Sequence, residues 1–186
     1  MKTEDAIPVW ESVLSAAWAS YEFATFAKEA VRHDPEAVRD RFIELSSGEI
    51  NAGALPEVVR SIGDDQALAL DSRCRLADGT EMHLPMMDFR VLSRGGDVSS
   101  ISTAVQVVGE ERGVILRSGR SYHYYGLRPL NHEDWYRFYA RCLLLSPITD
   151  SRYIAHRLLS GAASLRITPS KLKPFTPKVS ALVGSV

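Results

Sequence analysis

A chain of 186 residues with a net charge of −1 and 45% hydrophobic residues has the size and composition of one well-packed globular domain. No apolar run approaches a membrane span, and the first residues lack the basic segment and apolar core of a secretory signal, so we expect neither. The two cysteines, Cys74 and Cys142, match no metal-ligand spacing, which predicts buried thiols in a reducing, bacterial cytoplasm.

Charge is divided unevenly along the chain. Residues 1–111 contain 10 Lys and Arg against 20 Asp and Glu, whereas residues 112–186 contain 12 against 3. The asymmetry favours an anionic partner for the C-terminal part, or equally a basic layer that docks on an acidic one within the protein.

Helical spacing of apolar and aromatic residues dominates the first part of the chain. It predicts a helix over Ile7–Arg32, a second from Asp34 to about Leu45, and a short third one over Leu55–Ile62. We therefore predict an N-terminal helical region, residues 1–63, which packs on a core of residues 64–186.

After residue 65 the pattern becomes strand-like. Ala67–Leu76 and Glu81–Phe89 flank an Asp-Gly turn, which predicts a hairpin. The further predicted elements are a helix through Val108, strands Gly113–Leu116 and Ser121–Tyr125, helices Trp135–Leu145 and Ser151–Leu159, and strands Ala163–Ile167 and Val179–Val183. From His83 onward the order is β-α-β-β-α-β, so we predict an α+β fold with an RRM-like or ferredoxin-like core.

Polar side chains concentrate around the second predicted hairpin. Its turn carries Arg117 and Arg120, and Ser121 and His123 project from the same face of the following strand. Such a cluster of donors suits a phosphate group, and the alternative interpretation is an ordinary hairpin with a solvated basic turn and a hydrogen-bonded His. Asp88 ends a mostly apolar strand, where a carboxylate is costly unless it is paired or binds a cation.

Three short motifs, in this order, resemble those of the archaeo-eukaryotic primase superfamily, whose primase–polymerase core is a modified RRM-like sheet. The first is an acidic strand end, Leu84–Asp88, and the second is a Ser-x-His motif after a basic Ser-Gly turn, Ser118–His123. The third is Asp150, followed by a basic helix with His156-Arg157 and by the strand residues Ser164–Arg166. The resemblance covers about residues 83–173, and it suggests a small stand-alone primase-like protein.

The resemblance implies nucleotidyl transfer, in which a strand hydroxyl attacks the α-phosphate of a nucleoside triphosphate. Asp88 and Asp150 would be the catalytic carboxylates that hold Mg²⁺ or Mn²⁺. The residues implied to bind the nucleotide are Arg117, Arg120, Ser121, His123, Arg157 and Arg166. The basic residues Lys171 and Lys173 would follow the backbone of a single-stranded template. No helicase domain is recognisable in the chain, so a helicase or another replication, repair or defence protein is an expected partner.

One departure from the family pattern bears on activity. Active members usually carry two acids, one residue apart, in the first motif, whereas this chain reads Asp88-Phe89-Arg90. A guanidinium group donates hydrogen bonds only and cannot ligate a metal. Asp71, on the neighbouring predicted strand, is the candidate replacement.

Three functions therefore remain open. The first is a DNA or RNA nucleotidyltransferase of the primase type. The second is a catalytically inactive primase-like subunit that binds nucleotides or nucleic acid. The third is a plain RRM-like module that binds single strands by stacking bases on Tyr122, Tyr124 and Tyr125, for which core packing is the alternative interpretation.

Overall fold

The computed structural model describes residues 23–30, 42–46, 48–49, 53–62, 66–92, 98–110 and 112–184, with residues 23–30 and 42 described by their backbone alone. In chain order its elements are β1 (Phe23–Ala30), β2 (Phe42–Ser46), α1 (Ala54–Ser61), β3 (Gln66–Arg75), β4 (Glu81–His83), β5 (Met86–Asp88), α2 (Val98–Val107), β6 (Gly113–Arg117), β7 (Tyr122–Gly126), α3 (His132–Leu144), α4 (Ser151–Ser160), β8 (Ser164–Arg166) and β9 (Lys178–Val183). This content confirms the predicted α+β class. No helix of the described residues is long and apolar enough to cross a membrane.

The chain is divided into two compact units. The first contains Met1–Glu81 with Ser164–Pro177, and the second contains Met82–Ala163 with Lys178–Val186. The predicted division near residue 63 into a helical region and a core stays a prediction about folding units.

The first unit is organised around strand β3. The sheet order is β2-β1-β3-β4, and β8 also pairs with β3, opposite Ala69–Asp71. Leu68 and Leu70 are fully buried, as expected for a strand with neighbours along both edges. The predicted Asp-Gly turn after β3 is present: Gly79 adopts φ +83°, and the Asp78 carboxylate accepts a hydrogen bond of 2.9 Å from the Thr80 N–H.

The prediction of the first two N-terminal helices is wrong where the structure describes those segments, because β1 and β2 are strands. In β1, Phe23 and Phe26 are three positions apart and fit a helical stripe, and the Ala, Lys and Glu residues of the segment do not favour a strand either. The ladders with β3 on one side and β2 on the other, which no local pattern encodes, decide the outcome. Residues 7–22 and 31–41 of the predicted helices lie outside the described residues, and the short third helix is confirmed as α1.

The second unit contains an antiparallel sheet of order β5-β7-β6-β9. The adjacency of β5, β7 and β6 is the one expected for the first three strands of a ferredoxin-like sheet. The prediction for the fourth strand of that pattern is wrong in its pairing. It forms as β8 but pairs with β3, and β9 pairs with β6 instead. A three-residue strand carries no local information about its partner, so sequence order alone misassigned it.

Helix α3 supplies much of the core of this unit. Trp135, Phe138, Tyr139 and Cys142 recur at helical spacing and are all buried. The Tyr139 hydroxyl donates a hydrogen bond of 2.7 Å to the carbonyl of Met86, which ties the helix to strand β5. Burial raises the pKa of Tyr139 well above its ordinary value, so this donor keeps its proton.

Candidate functional site

Asp88 and His123 face each other across the β5–β7 ladder. They are cross-strand partners, so their side chains leave the same face of the sheet. The His123 Nε2 lies 3.8 Å from the Asp88 Oδ1, and the side chains are 8% and 33% exposed, respectively. On the other ring nitrogen, the Tyr125 hydroxyl lies 3.5 Å from Nδ1. Tyr125 thus contacts the imidazole through the nitrogen that does not face Asp88, and the Asp88 side chain is partly exposed.

Asp150 is hydrogen-bonded to the end of β5, along the edge of that strand that does not pair with β7. Phe89 and Thr149 form an antiparallel bridge, flanked by hydrogen bonds from the Asp150 N–H to the Asp88 carbonyl at 3.0 Å and from the Arg90 N–H to the Ile148 carbonyl at 2.8 Å. This bridge sets Asp88 and Asp150 in facing backbone positions although 61 residues separate them along the chain. Sequence reasoning missed Thr149, because a bridge between distant segments leaves no local signal.

The Asp150 carboxylate also begins a helix. Its Oδ1 accepts hydrogen bonds from the N–H groups of Arg152 at 2.9 Å and Tyr153 at 3.1 Å, which makes it the N-cap of α4. Asp150 therefore also has a structural role, at the start of the helix that the sequence predicts after it. The fixed carboxylate is at the same time half-buried and pre-oriented.

The turn between β6 and β7 brings cations to the hairpin end. Arg117 and Arg120 are exposed there, and the Ser121 hydroxyl donates a hydrogen bond to the carbonyl of Phe89. The Ser118 N–H closes the turn on the Ser121 carbonyl at 2.9 Å. The Ser121 side chain thus attaches the turn to the chain just after β5, and both guanidinium groups are carried on that anchored turn.

The remaining predicted phosphate ligands lie in different surroundings. Arg157 is half-buried on α4, with its guanidinium 5.3 Å from the centre of the Tyr153 ring. Arg166 belongs to the first unit, where it is buried and donates to the carbonyls of Thr168 at 3.2 Å and Phe175 at 2.6 Å. Those contacts are typical of an arginine that holds a loop.

The structure contradicts the prediction that Tyr124 stacks on a nucleic-acid base. The Tyr124 ring is fully buried, and its hydroxyl donates to the Arg112 carbonyl at 3.0 Å and lies 3.4 Å from the Glu110 carboxylate. Burial, followed by the nearby Glu110 charge, raises its pKa well above the ordinary value. Tyr122 and Tyr125 are also buried, so the strand offers no open aromatic platform and the RRM-like binding interpretation loses its basis.

The donor set fits one nucleotide-borne cation better than a protein-built metal cage. Within the described part of the chain no three His, Cys, Asp or Glu side chains form a group that could hold a metal ion. Mg²⁺ in nucleotide sites commonly uses only one or two carboxylates, together with phosphate oxygens and water. Asp88 and Asp150 suffice for one such ion, whereas a pair of ions needs further carboxylates.

No further carboxylate joins Asp88 and Asp150 from the position of the usual second acid or from its candidate replacement, Asp71. Arg90, at the position of the usual second acid, is exposed. Asp71 lies on β3 in the first unit, and its Oδ1 accepts hydrogen bonds from the Arg73 backbone N–H at 3.0 Å and from the Arg73 Nε at 2.8 Å. That ion pair accounts for a buried aspartate without a metal.

Comparison with solved structures identifies the class of the fold. The whole chain aligns with 93% of the AEP domain of the primase–polymerase of cyanophage S-2L, with a TM-score of 0.60 and 15% sequence identity. At this identity the likeness shows the fold alone, which is that of a primase–polymerase AEP domain. No curated protein matches the chain.

Comparison with family models then identifies the family. The model described as AEP-like, archaeo-eukaryotic primase 1D-like, matches residues 46–176. The chain therefore belongs to this archaeo-eukaryotic primase-like family, which confirms the resemblance inferred from the three short motifs. Membership supports a nucleotidyltransferase-like role.

Proposed function

We propose that the chain binds a nucleoside triphosphate with Mg²⁺ or Mn²⁺ beside Asp88 and Asp150 and transfers the nucleotide to the hydroxyl of an oligonucleotide, with release of pyrophosphate. One observation carries the proposal. In a chain of the archaeo-eukaryotic primase-like family, a backbone hydrogen bond of 3.0 Å joins the two aspartates, and His123 is the cross-strand partner of Asp88. When bound, the cation would offset triphosphate charge and polarise the reacting phosphate.

Each side chain of the site has a distinct task in this proposal. Asp88, whose side chain is 33% exposed, is the principal ligand for the cation, and Asp150 is the second. His123 binds a phosphate oxygen, with its ring oriented by the Tyr125 hydroxyl. The exposed guanidinium of Arg117, on the turn, binds the outer phosphates of the triphosphate. Arg120 and Ser121, on the same turn, bind these phosphates too.

Nucleic acid is the proposed second substrate. Lys171 and Lys173 are exposed in the first unit and suit contacts with the phosphates of a single-stranded template. Arg157 and Arg166 are proposed as further phosphate ligands. A bacterial cytoplasm, with a helicase or another replication, repair or defence protein as partner, is the proposed setting.

A specific observation favours a second candidate, an inactive accessory subunit that binds nucleotides without polymerising them. Arg90 stands where the second acid of the first motif is expected, and a guanidinium repels a metal ion. One cation held by two carboxylates can retain a triphosphate. A site with a single cation lacks the second ion, which would make deprotonation of the attacking hydroxyl easier.

Calorimetry and primer extension together test both candidates. We expect a ribo- or deoxyribonucleoside triphosphate to bind in the presence of Mn²⁺, and Asp88→Asn to weaken that binding at least about tenfold, because a neutral amide loses the charge that holds the ion. Glu133→Gln, at an exposed acid of α3 whose ion pair with Arg137 is on the surface, serves as the matched control and should bind as the wild type does.

The second assay separates activity from binding. Labelled nucleotides and a primed single-stranded template should give product with the wild type and none with Asp88→Asn if the chain is a transferase. Binding that is lost in Asp88→Asn, without product in either metal, would identify the accessory subunit. Absence of metal-dependent nucleotide binding in the wild type would refute both candidates.

A further inference from the structure

Two histidines that the proposed function does not use lie side by side in the second unit. His83 is the last residue of β4, and His132 is the first residue of α3. The backbone of His83 exchanges two hydrogen bonds of 2.8 Å with Leu130, which lies two residues before His132. This bridge fixes the two histidine backbones relative to each other, although they are 49 residues apart.

The two imidazoles approach each other through one nitrogen each. The His132 Nδ1 lies 3.4 Å from the His83 Nε2, and the ring centroids are 5.3 Å apart with planes inclined at 46°. A tetrahedral ion with metal–nitrogen bonds of about 2.05 Å holds two imidazole nitrogens about 3.3–3.4 Å apart. We propose that His83 and His132 chelate one divalent transition-metal ion of the Zn²⁺ or Cu²⁺ type.

Aromatic packing holds both rings in this arrangement. The His83 ring lies against Trp135 with centroids 4.8 Å apart, and the Tyr136 ring meets His132 edge-on, also at 4.8 Å. Trp135 also stacks parallel to His132, at a centroid distance of 6.1 Å and an angle of 14°. Because the rings are already ordered, an ion that bridges them costs little side-chain entropy.

Exposure gives the ion a route to the pair. His83 and Trp135 are buried, whereas His132 is exposed. The ion enters from the His132 side, and water fills the coordination positions that the two nitrogens leave open. Without the ion, the same two nitrogens are within reach of a single weak hydrogen bond.

The ligand chemistry distinguishes this ion from the one proposed beside Asp88. Neutral imidazole is a borderline ligand that favours Cu²⁺, Ni²⁺ and Zn²⁺, whereas carboxylate and phosphate oxygens favour Mg²⁺ and Mn²⁺. The histidine pair should bind Cu²⁺ more tightly than it binds Ni²⁺ or Zn²⁺. Excess Mg²⁺ should not displace the ion.

Trp135 provides a direct reporter of the site. Cu²⁺ titrated into untagged protein should quench tryptophan fluorescence in a saturable manner, because the Trp135 ring touches the His83 ring. His132→Ala should lower the apparent Cu²⁺ affinity in this titration at least about tenfold, since one of two ligands is lost. His156→Ala, at a histidine on α4, is the matched control and should titrate as the wild type does. Calorimetry with Zn²⁺ should give one ion per chain.

The outcomes decide the proposal independently of nucleotide binding, because neither experiment contains a nucleotide. His132 is exposed, so the variant should keep the wild-type circular dichroism, and His132→Gln provides a second folded variant. Equal quenching in the wild type and both His132 variants would overturn the site. So would the absence of saturable Zn²⁺ and Cu²⁺ binding in the wild type.

Discussion

Replacing Asp150 in two ways separates its role as a helix cap from its proposed role as a metal ligand. Asp150→Asn keeps a side-chain oxygen that can accept the hydrogen bonds from Arg152 and Tyr153, now 2.9 and 3.1 Å long, but removes the charge. Asp150→Ala removes both. Loss of an N-cap costs about 0.5–2 kcal/mol, and the charge at the helix N-terminus adds about 0.3–1 kcal/mol.

The two variants should therefore differ in stability and agree in binding. We expect Asp150→Ala to lose about 1.5 kcal/mol of unfolding free energy, which lowers the Tm by about 3–6 °C for a chain of this size. Asp150→Asn should lose about 0.5 kcal/mol, the contribution of the charge alone. Both should lose Mn²⁺-dependent nucleotide binding, because neither supplies an anionic oxygen.

Thermal melts without ligand and calorimetry well below both melting temperatures provide the measurements. If Asp150→Asn binds the Mn²⁺–nucleotide complex as tightly as the wild type does, Asp150 is a cap only and the proposed cation site is wrong. If Asp150→Asn melts as low as Asp150→Ala, the cap does not contribute as the geometry indicates.

Three other substitutions and treatments test the packing. Burial raises the pKa of Cys74 to about 12 and also raises the pKa of Cys142, so iodoacetamide at pH 8 should modify neither thiol in the native protein and both in guanidinium chloride; a native-state adduct on either would contradict their burial. Gly113→Ala should destabilise the protein by about 1–3 kcal/mol in urea unfolding, because the new Cβ would lie 2.3 Å from the Tyr124 ring, and an unchanged midpoint would show that the ring can move. Arg166→Lys should cost about 2 kcal/mol, since the shorter lysine side chain cannot place its ammonium where the Arg166 Nη1 donates to both carbonyls, and a variant as stable as the wild type would leave Arg166 available as a phosphate ligand.

Predictions from the sequence succeeded where the signals are local. The Asp-Gly turn after β3 and the Asp150 position before α4 lie at element ends that turn and cap residues specify. The order of elements after residue 65 was accordingly correct, except that the predicted strand Glu81–Phe89 is divided into β4 and β5, which belong to different sheets. The strand β1 was misread because its apolar spacing satisfies a helical period, and only its pairing with β3 over long sequence separation selects a strand.

The burial of Tyr124 shows a second limit of local reasoning. Alternation along a strand distinguishes two faces but does not say that both are covered. Every residue of β7 is buried, so its tyrosines pack in the core although their spacing equally suits an open binding face.

For this protein the residue order by itself determined the element sequence from residue 66 onward, the primase-like motifs and the chemical character of Asp88, His123 and Asp150. Only the tertiary structure decided that Asp88 stands between the other two and that β8 leaves the sheet expected for it. The physical reason is that turns and caps are short-range interactions within a few residues. Ladders, in contrast, join segments whose partners are chosen by packing across the whole fold.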